Sequence, residues 1–236
     1  MGSGGLALLR TIIFDFDGII VDSEPIIMRL TQEMAAKEGW VVSEDDYYRD
    51  YLALDDRGIV EHLFLTHGRP VDRPRVEELV SWKSRVYGEI IEDGLPTLPG
   101  AVDFVRQAAK TYPLAIASGS ARSEIEHLLG KLQLLSDFRV IASADDCVRS
   151  KPDPEVYLKA IAGLEALPEF KDKPLRPSEC VAIEDAPGGI EAAHAAGIRC
   201  IGLAHSRTQE DLLHADWAFR GFEELDLDAI AREFEP

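Results

Sequence analysis

Asp15 and Asp17 follow a short apolar run, Thr11 to Phe14, and place two carboxylates directly after a buried-strand pattern. Ser118 and Gly119 follow a second such run, Leu114 to Ala117, and Glu184 and Asp185 follow a third, Cys180 to Ile183. In open α/β sheets ligands sit beyond the carboxyl ends of the strands, so these residues are expected to converge on one edge. Carboxylates crowded in this way repel one another unless a cation neutralises them, and hard, oxygen-ligated Mg²⁺ suits that task. If the ion also meets a phosphoryl oxygen, a carboxylate can attack phosphorus in line and form an aspartyl-phosphate. On a strand continuing past Phe14, Asp15 and Asp17 point to the same side, so one can attack while the other handles the leaving-group proton.

A positive charge is still needed, and Lys151 in Ser150-Lys151-Pro152-Asp153-Pro154 is best placed to supply it. Asp153 can cap a helix and Pro154 can occupy its first turn, which would hold Lys151 just before a helix N-terminus, where anions are favoured.

The elements that must position these groups are legible as apolar runs at Thr11 to Phe14, Leu114 to Ala117, Arg139 to Ala142, Cys180 to Ile183 and Arg199 to Leu203, with helical patterns between most of them. That alternation predicts a Rossmann-like α/β core, a parallel sheet with helices on both faces. Pro25 to Asp93 carries helical patterns without a comparable strand, so residues 25–93 are expected to form an inserted all-helical domain and residues 1–24 and 94–236 the core. Gly94 to Gly100 reads as the return linker into a helix over Ala101 to Lys110. Leu164 to Glu179, with three prolines, reads as a surface excursion.

The 236 residues are 46% hydrophobic, enough for a sizeable core. Twenty-five basic against 43 acidic residues give a net charge of -18, which argues against a nucleic-acid or anionic-membrane surface. No apolar stretch approaches bilayer length and no signal-peptide pattern opens the chain, whose Met1 to Gly5 reads as a flexible leader. Cys147, Cys180 and Cys200 form no ligand motif and suggest reduced thiols in a cytoplasm. Without a zipper or repeat, a monomer is expected.

The segment Asp15-Phe16-Asp17-Gly18-Ile19-Ile20-Val21-Asp22-Ser23-Glu24 resembles the first motif of the haloacid dehalogenase superfamily. Ala117 to Ser120, Lys151 to Pro154 and Ile183 to Ile190 resemble its second, third and fourth motifs, in order. The insert lies where the phosphoglycolate-phosphatase and β-phosphoglucomutase branch carries a helical cap. The resemblance implies that Asp15 is nucleophile and metal ligand, and that Asp17 is general acid and base, its backbone carbonyl also ligating Mg²⁺. It assigns Ser118 and the Gly119 amide to the phosphoryl oxygens, and Lys151 to that group and to Asp15. Asp185 would bind the ion, and Glu184 would ligate it or orient its water.

The implied activity is Mg²⁺-dependent hydrolysis of a small phosphorylated metabolite, a sugar or organic-acid phosphate. Asp17 argues against the dehalogenase and phosphonoacetaldehyde-hydrolase branches, which lack that second aspartate. A phosphosugar mutase is the alternative, although Ile27 and Asp55-Asp56-Arg57 stand where mutase relatives place a histidine and an arginine. A module that binds a phosphorylated ligand without turning it over is a further alternative, against which the intact carboxylate set speaks. Arg57 is a candidate for an anionic substrate tail, or it pairs with Asp55 or Asp56. Ser120 reads as a loop or helix-capping hydroxyl. The six histidines lack metal-ligand spacing, and only His205, after a strand, stands near the expected edge.

Overall fold

The computed structural model describes residues 8–52, 54, 56–204 and 212–235. The leader, Ala53, Asp55 and His205 lie outside them. Two compact units are formed, Met1–Asp22 with Pro96–Pro236, and Ser23–Leu95.

The first unit is built on a six-stranded, all-parallel sheet of order β3-β2-β1-β4-β5-β6. Its strands are β1 (Thr11–Phe14), β2 (Leu114–Ala117), β3 (Phe138–Ala142), β4 (Cys180–Glu184), β5 (Arg199–Leu203) and β6 (Trp217–Phe219). β1 is central, fully buried and flanked by β2 and β4. The chain thus winds outward in one direction through β2 and β3 and in the other through β4 to β6. The switch point falls between β1 and β4, where open α/β sheets place their ligands.

Alternation along β1 sends side chains to two helical layers. Ile13 joins the core under α7 (Glu155–Glu165) and α8 (Pro187–Ala195). Phe14 faces the other way, edge-to-face with Phe104 of α5 (Ala101–Ala108) at 6.2 Å and with Phe138 at 5.7 Å. Among the described residues the other α-helices of this unit are α6 (Arg122–Lys131) and α9 (Leu227–Arg232).

The second unit comprises α1 (Glu24–Lys37), α2 (Glu44–Asp50), α3 (Asp56–Thr66) and α4 (Arg73–Ile91). Met34, Tyr47, Ile59, Leu63, Phe64 and Leu79 are among the side chains of its apolar core. Tyr47 donates to Glu24 at 2.5 Å and His67 stacks on Trp40, so that histidine has a packing role. Among the described residues no helix is long and apolar enough to cross a membrane. All three cysteines are free.

The structure departs from the sequence expectations at several elements. A sixth strand, Trp217–Phe219, is added; three half-buried residues make too short a pattern to stand out locally. β4 runs on to Glu184, and α5 stops at Ala108 rather than Lys110. The stretch read as a surface excursion opens as the last residues of α7 and then inserts Phe170 and Leu175 into the core. Its end is pinned by Glu179, whose buried carboxylate accepts from Arg10 at 3.1 Å and from the Arg176 side chain at 3.0 Å.

Burial alone would raise the Glu179 pKa, but the amide and guanidinium of Arg176 and the guanidinium of Arg10 outweigh it and lower the carboxyl to about 2. A depressed folded-state pKa stabilises above the ordinary value of 4.5 and is lost as pH falls toward 2. Glu179→Gln is therefore expected to lose about 2 kcal/mol less stability than wild type between roughly pH 6 and pH 3, as read by urea unfolding. Parallel acid limbs would exclude this anchor.

Candidate active site

The β1–β4 ladder extends one residue past β1, because the Asp15 amide donates to the Ile183 carbonyl at 2.9 Å. This sets Asp15 beside the end of β4, with a side chain only 12% exposed. The strand does not continue to Asp17. The chain turns instead through Gly18, at φ +72°, with the Ile20 amide donating to Phe16 at 2.8 Å. Buried Ile19, Ile20 and Val21 anchor that turn. The strand-alternation argument for Asp15 and Asp17 therefore does not apply, and Asp17 is aimed by the turn.

Ser118 and Gly119 follow β2. The Ser118 amide extends the β2–β3 ladder to Ala142 at 3.0 Å, and its buried hydroxyl accepts from the Ser120 amide at 3.0 Å. Ser120 is not a helix cap, since α6 is preceded by Ala121 and has no side-chain cap. Its hydroxyl donates to Asp17 Oδ2.

Lys151 lies just before α7, as expected, with Asp153 accepting from the Glu155 amide at 3.0 Å; Pro154 directly precedes the helix rather than occupying its first turn. The Lys151 Nζ lies 2.9 Å from Asp15 Oδ1 and 2.7 Å from Glu184 Oε1. Burial alone would lower its pKa, but the charges of Asp15 and Glu184 outweigh that and hold the ammonium above the ordinary lysine value. Lys151, Ser118, Gly119 and Arg149 line one open pocket.

Glu184 is fully buried. Its Oε1 accepts from Lys151 and from the Tyr157 hydroxyl at 2.6 Å, and its Oε2 from the Asp185 amide at 3.3 Å. Burial, followed by the charge of Asp15, pushes its carboxyl up to about 6 against the pull of Lys151. Burial first, and then Glu184, raises the Tyr157 pKa, which keeps that hydroxyl a donor.

Carboxylate oxygens of Asp15, Glu184 and Asp185 lie within 4.8 Å of one another. Two glycines make room for this cluster: a Cβ at Gly18 would overlap the Asp185 carboxylate, and one at Gly189 would overlap that of Glu184. Three hard oxygen donors against one ammonium leave an excess of two negative charges, a donor set suited to a divalent cation.

The structure thus brings Asp15, Asp17, Ser118, Gly119, Lys151, Glu184 and Asp185 to one sheet edge. Arg57 belongs to the helical unit, exposed in the first turn of α3, and the neighbouring Asp56 is held by Lys83. Sequence reasoning missed Ser120 as a partner of Asp17, and Tyr157 entirely. The only signal for Ser120 was its place two residues after Ser118; for Tyr157 there was none, since it is one of several buried positions along α7.

The family described as Haloacid dehalogenase-like hydrolase matches residues 12–203. The "Phosphorylated carbohydrates phosphatase" of Thermotoga maritima is 30% identical over 203 residues, covering 84% of this chain and 87% of its own. "Protein CbbY" of Rhodobacter capsulatus is 32% identical over 219 residues, 89% and 92% of the two chains. Among solved structures, a beta-phosphoglucomutase from Clostridium difficile superposes with a TM-score of 0.82 over 96% of this chain and 97% of its own; at 21% identity this is a likeness of fold.

A Gly-to-Ala change inside a helix ordinarily stabilises by about 1 kcal/mol. At Gly189 of α8 the new methyl must displace a carboxylate fixed by three donors, an overpacking cost of about 1–3 kcal/mol or more. Gly189→Ala is therefore expected to lower the unfolding free energy. A raised melting temperature would show that Glu184 is not held as described.

Proposed function

Because the chain belongs to the haloacid dehalogenase-like hydrolase family, we propose that it is a Mg²⁺-dependent phosphatase of a small phosphorylated metabolite, working through an aspartyl-phosphate on Asp15. The observation that carries this reading is the setting of Asp15 at the β1–β4 switch point, with Lys151 on its Oδ1 and the Glu184 and Asp185 carboxylates beside it.

Asp15 attacks phosphorus; as the phosphorus–ester oxygen bond breaks, its electron pair leaves on that oxygen, which takes a proton from Asp17. The Ser118 hydroxyl, the Gly119 amide and Lys151 hold the phosphoryl oxygens. Asp17 then removes a proton from water, the water oxygen bonds to phosphorus, and the acyl phosphate bond breaks to restore Asp15. Asp15, Asp185 and the Asp17 backbone carbonyl would hold Mg²⁺, with Glu184 ligating it or orienting its water. When bound, the ion supplies charge neutralisation to the carboxylates and the phosphoryl group.

The helical unit acts as the cap that admits substrate, and Arg57 is its candidate contact for an anionic tail. The Thermotoga maritima relative is named for phosphorylated carbohydrates, which supports a sugar phosphate as substrate. The packing of Ile27 against the apolar core of the helical unit favours hydrolysis over mutase chemistry, since that position then offers packing rather than proton transfer. The net charge of -18 supports a monomer that binds neither nucleic acid nor an anionic membrane, and the three free thiols support a cytoplasmic setting.

Turnover of p-nitrophenyl phosphate is expected to require Mg²⁺, to stop with EDTA and to fall roughly 10³-fold or more in Asp15→Asn. Equal rates under all three conditions would reject the mechanism. Across a panel of sugar, polyol and organic-acid phosphates, one class is expected to release inorganic phosphate with a kcat/KM about tenfold or more above the others. Isomerised sugar phosphate without phosphate release would assign a mutase instead.

A further inference from the structure

Ser120 makes two contacts that join separate parts of the site. Its amide donates to Ser118 Oγ at 3.0 Å, and its hydroxyl donates to Asp17 Oδ2 across 103 residues of sequence. The first contact occupies Ser118 as an acceptor, which turns the hydroxyl proton of Ser118 away from Ser120. The second fixes one oxygen of the carboxyl group that hands over the proton. A carboxyl group accepting a hydroxyl proton at Oδ2 holds its own acid proton preferentially at Oδ1.

We propose that Ser120 is a positioning residue for proton transfer, orienting Asp17 so that its transferable proton sits on Oδ1, and that it registers this group with the phosphoryl-binding Ser118. This rests on the reading of Asp17 as general acid given above. Ser120 is half-buried, precedes α6 by one linking residue and caps nothing, so neither its burial nor helix capping accounts for a hydroxyl there. Gly119, between the two serines, is exposed, and a Cβ there would meet nothing within 4 Å.

General-acid help matters in proportion to the basicity of the leaving oxygen. Phenyl and p-nitrophenyl phosphate are close in shape, but phenol, with a pKa of about 10 like the tyrosine side chain, leaves far less readily than p-nitrophenol. The quantity to measure is the ratio of kcat/KM for p-nitrophenyl phosphate over phenyl phosphate, with Mg²⁺ and the full chain, since kcat/KM covers the step in which the alcohol departs.

Ser120→Ala and Ser120→Cys, which lose or weaken the donor, are expected to raise this ratio about tenfold, and Ser120→Thr to restore it. Asp17→Asn is run in parallel and is expected to raise the ratio further. An unchanged ratio in both Ser120→Ala and Ser120→Cys, with or without a uniform loss of rate, would overturn the proposal while leaving Asp17 as the acid. An unchanged ratio in Asp17→Asn would overturn both assignments. Persistence of Mg²⁺-dependent turnover in Asp15→Asn would mark failure of the underlying mechanism, separately from Ser120.

Discussion

The ammonium of Lys151, held between Asp15 Oδ1 and Glu184 Oε1, is the contact on which the arrangement of the site depends. Carboxylates taken out of water are costly unless a charge and hydrogen bonds compensate them, and breaking a buried pair leaves an uncompensated charge worth about 3–5 kcal/mol. Here one cation serves two acids that come from different strands. Tyr157 and the Asp185 amide fill further acceptor positions on Glu184, which is fully buried. What remains is an excess of negative charge at the sheet edge, a donor set suited to a divalent cation.

Sheet topology makes that contact possible. With β1 between β2 and β4, Asp15, Ser118 and Glu184 are brought together at three adjacent strand ends. The Asp15 and Ser118 amides each extend a ladder by one bond, so their side chains start from rigid backbone positions. The turn through Gly18 and the absence of side chains at Gly18 and Gly189 then bring the acidic residues closer than larger residues would permit. Close approach of like charges is thereby built into the backbone, and the Lys151 segment before α7 supplies the compensating charge.

Much of this was legible in local patterns. β1, β2 and β5 stand where their apolar runs do, because a strand buried on both faces needs an unbroken apolar run. The order of acidic residues after those runs was equally plain. β6 was not, since its three residues, Trp217 to Phe219, are strand only by pairing with β5. Nor was the burial of Phe170 and Leu175, since three prolines and a run of charges conceal two apolar anchors.

By itself the sequence determined which residues could do chemistry and that they would follow strands, because residue type and periodicity are local properties of the chain. Only the tertiary structure decided their partners. Ser120 meets Asp17 across 103 residues and Tyr157 meets Glu184 across 27, contacts that arise from how helices and strands pack rather than from any spacing along the chain. The same holds for Asp17, which a continuing strand would have aimed alongside Asp15, and which a turn closed by hydrogen bonds to Phe16 delivers to Ser120 instead.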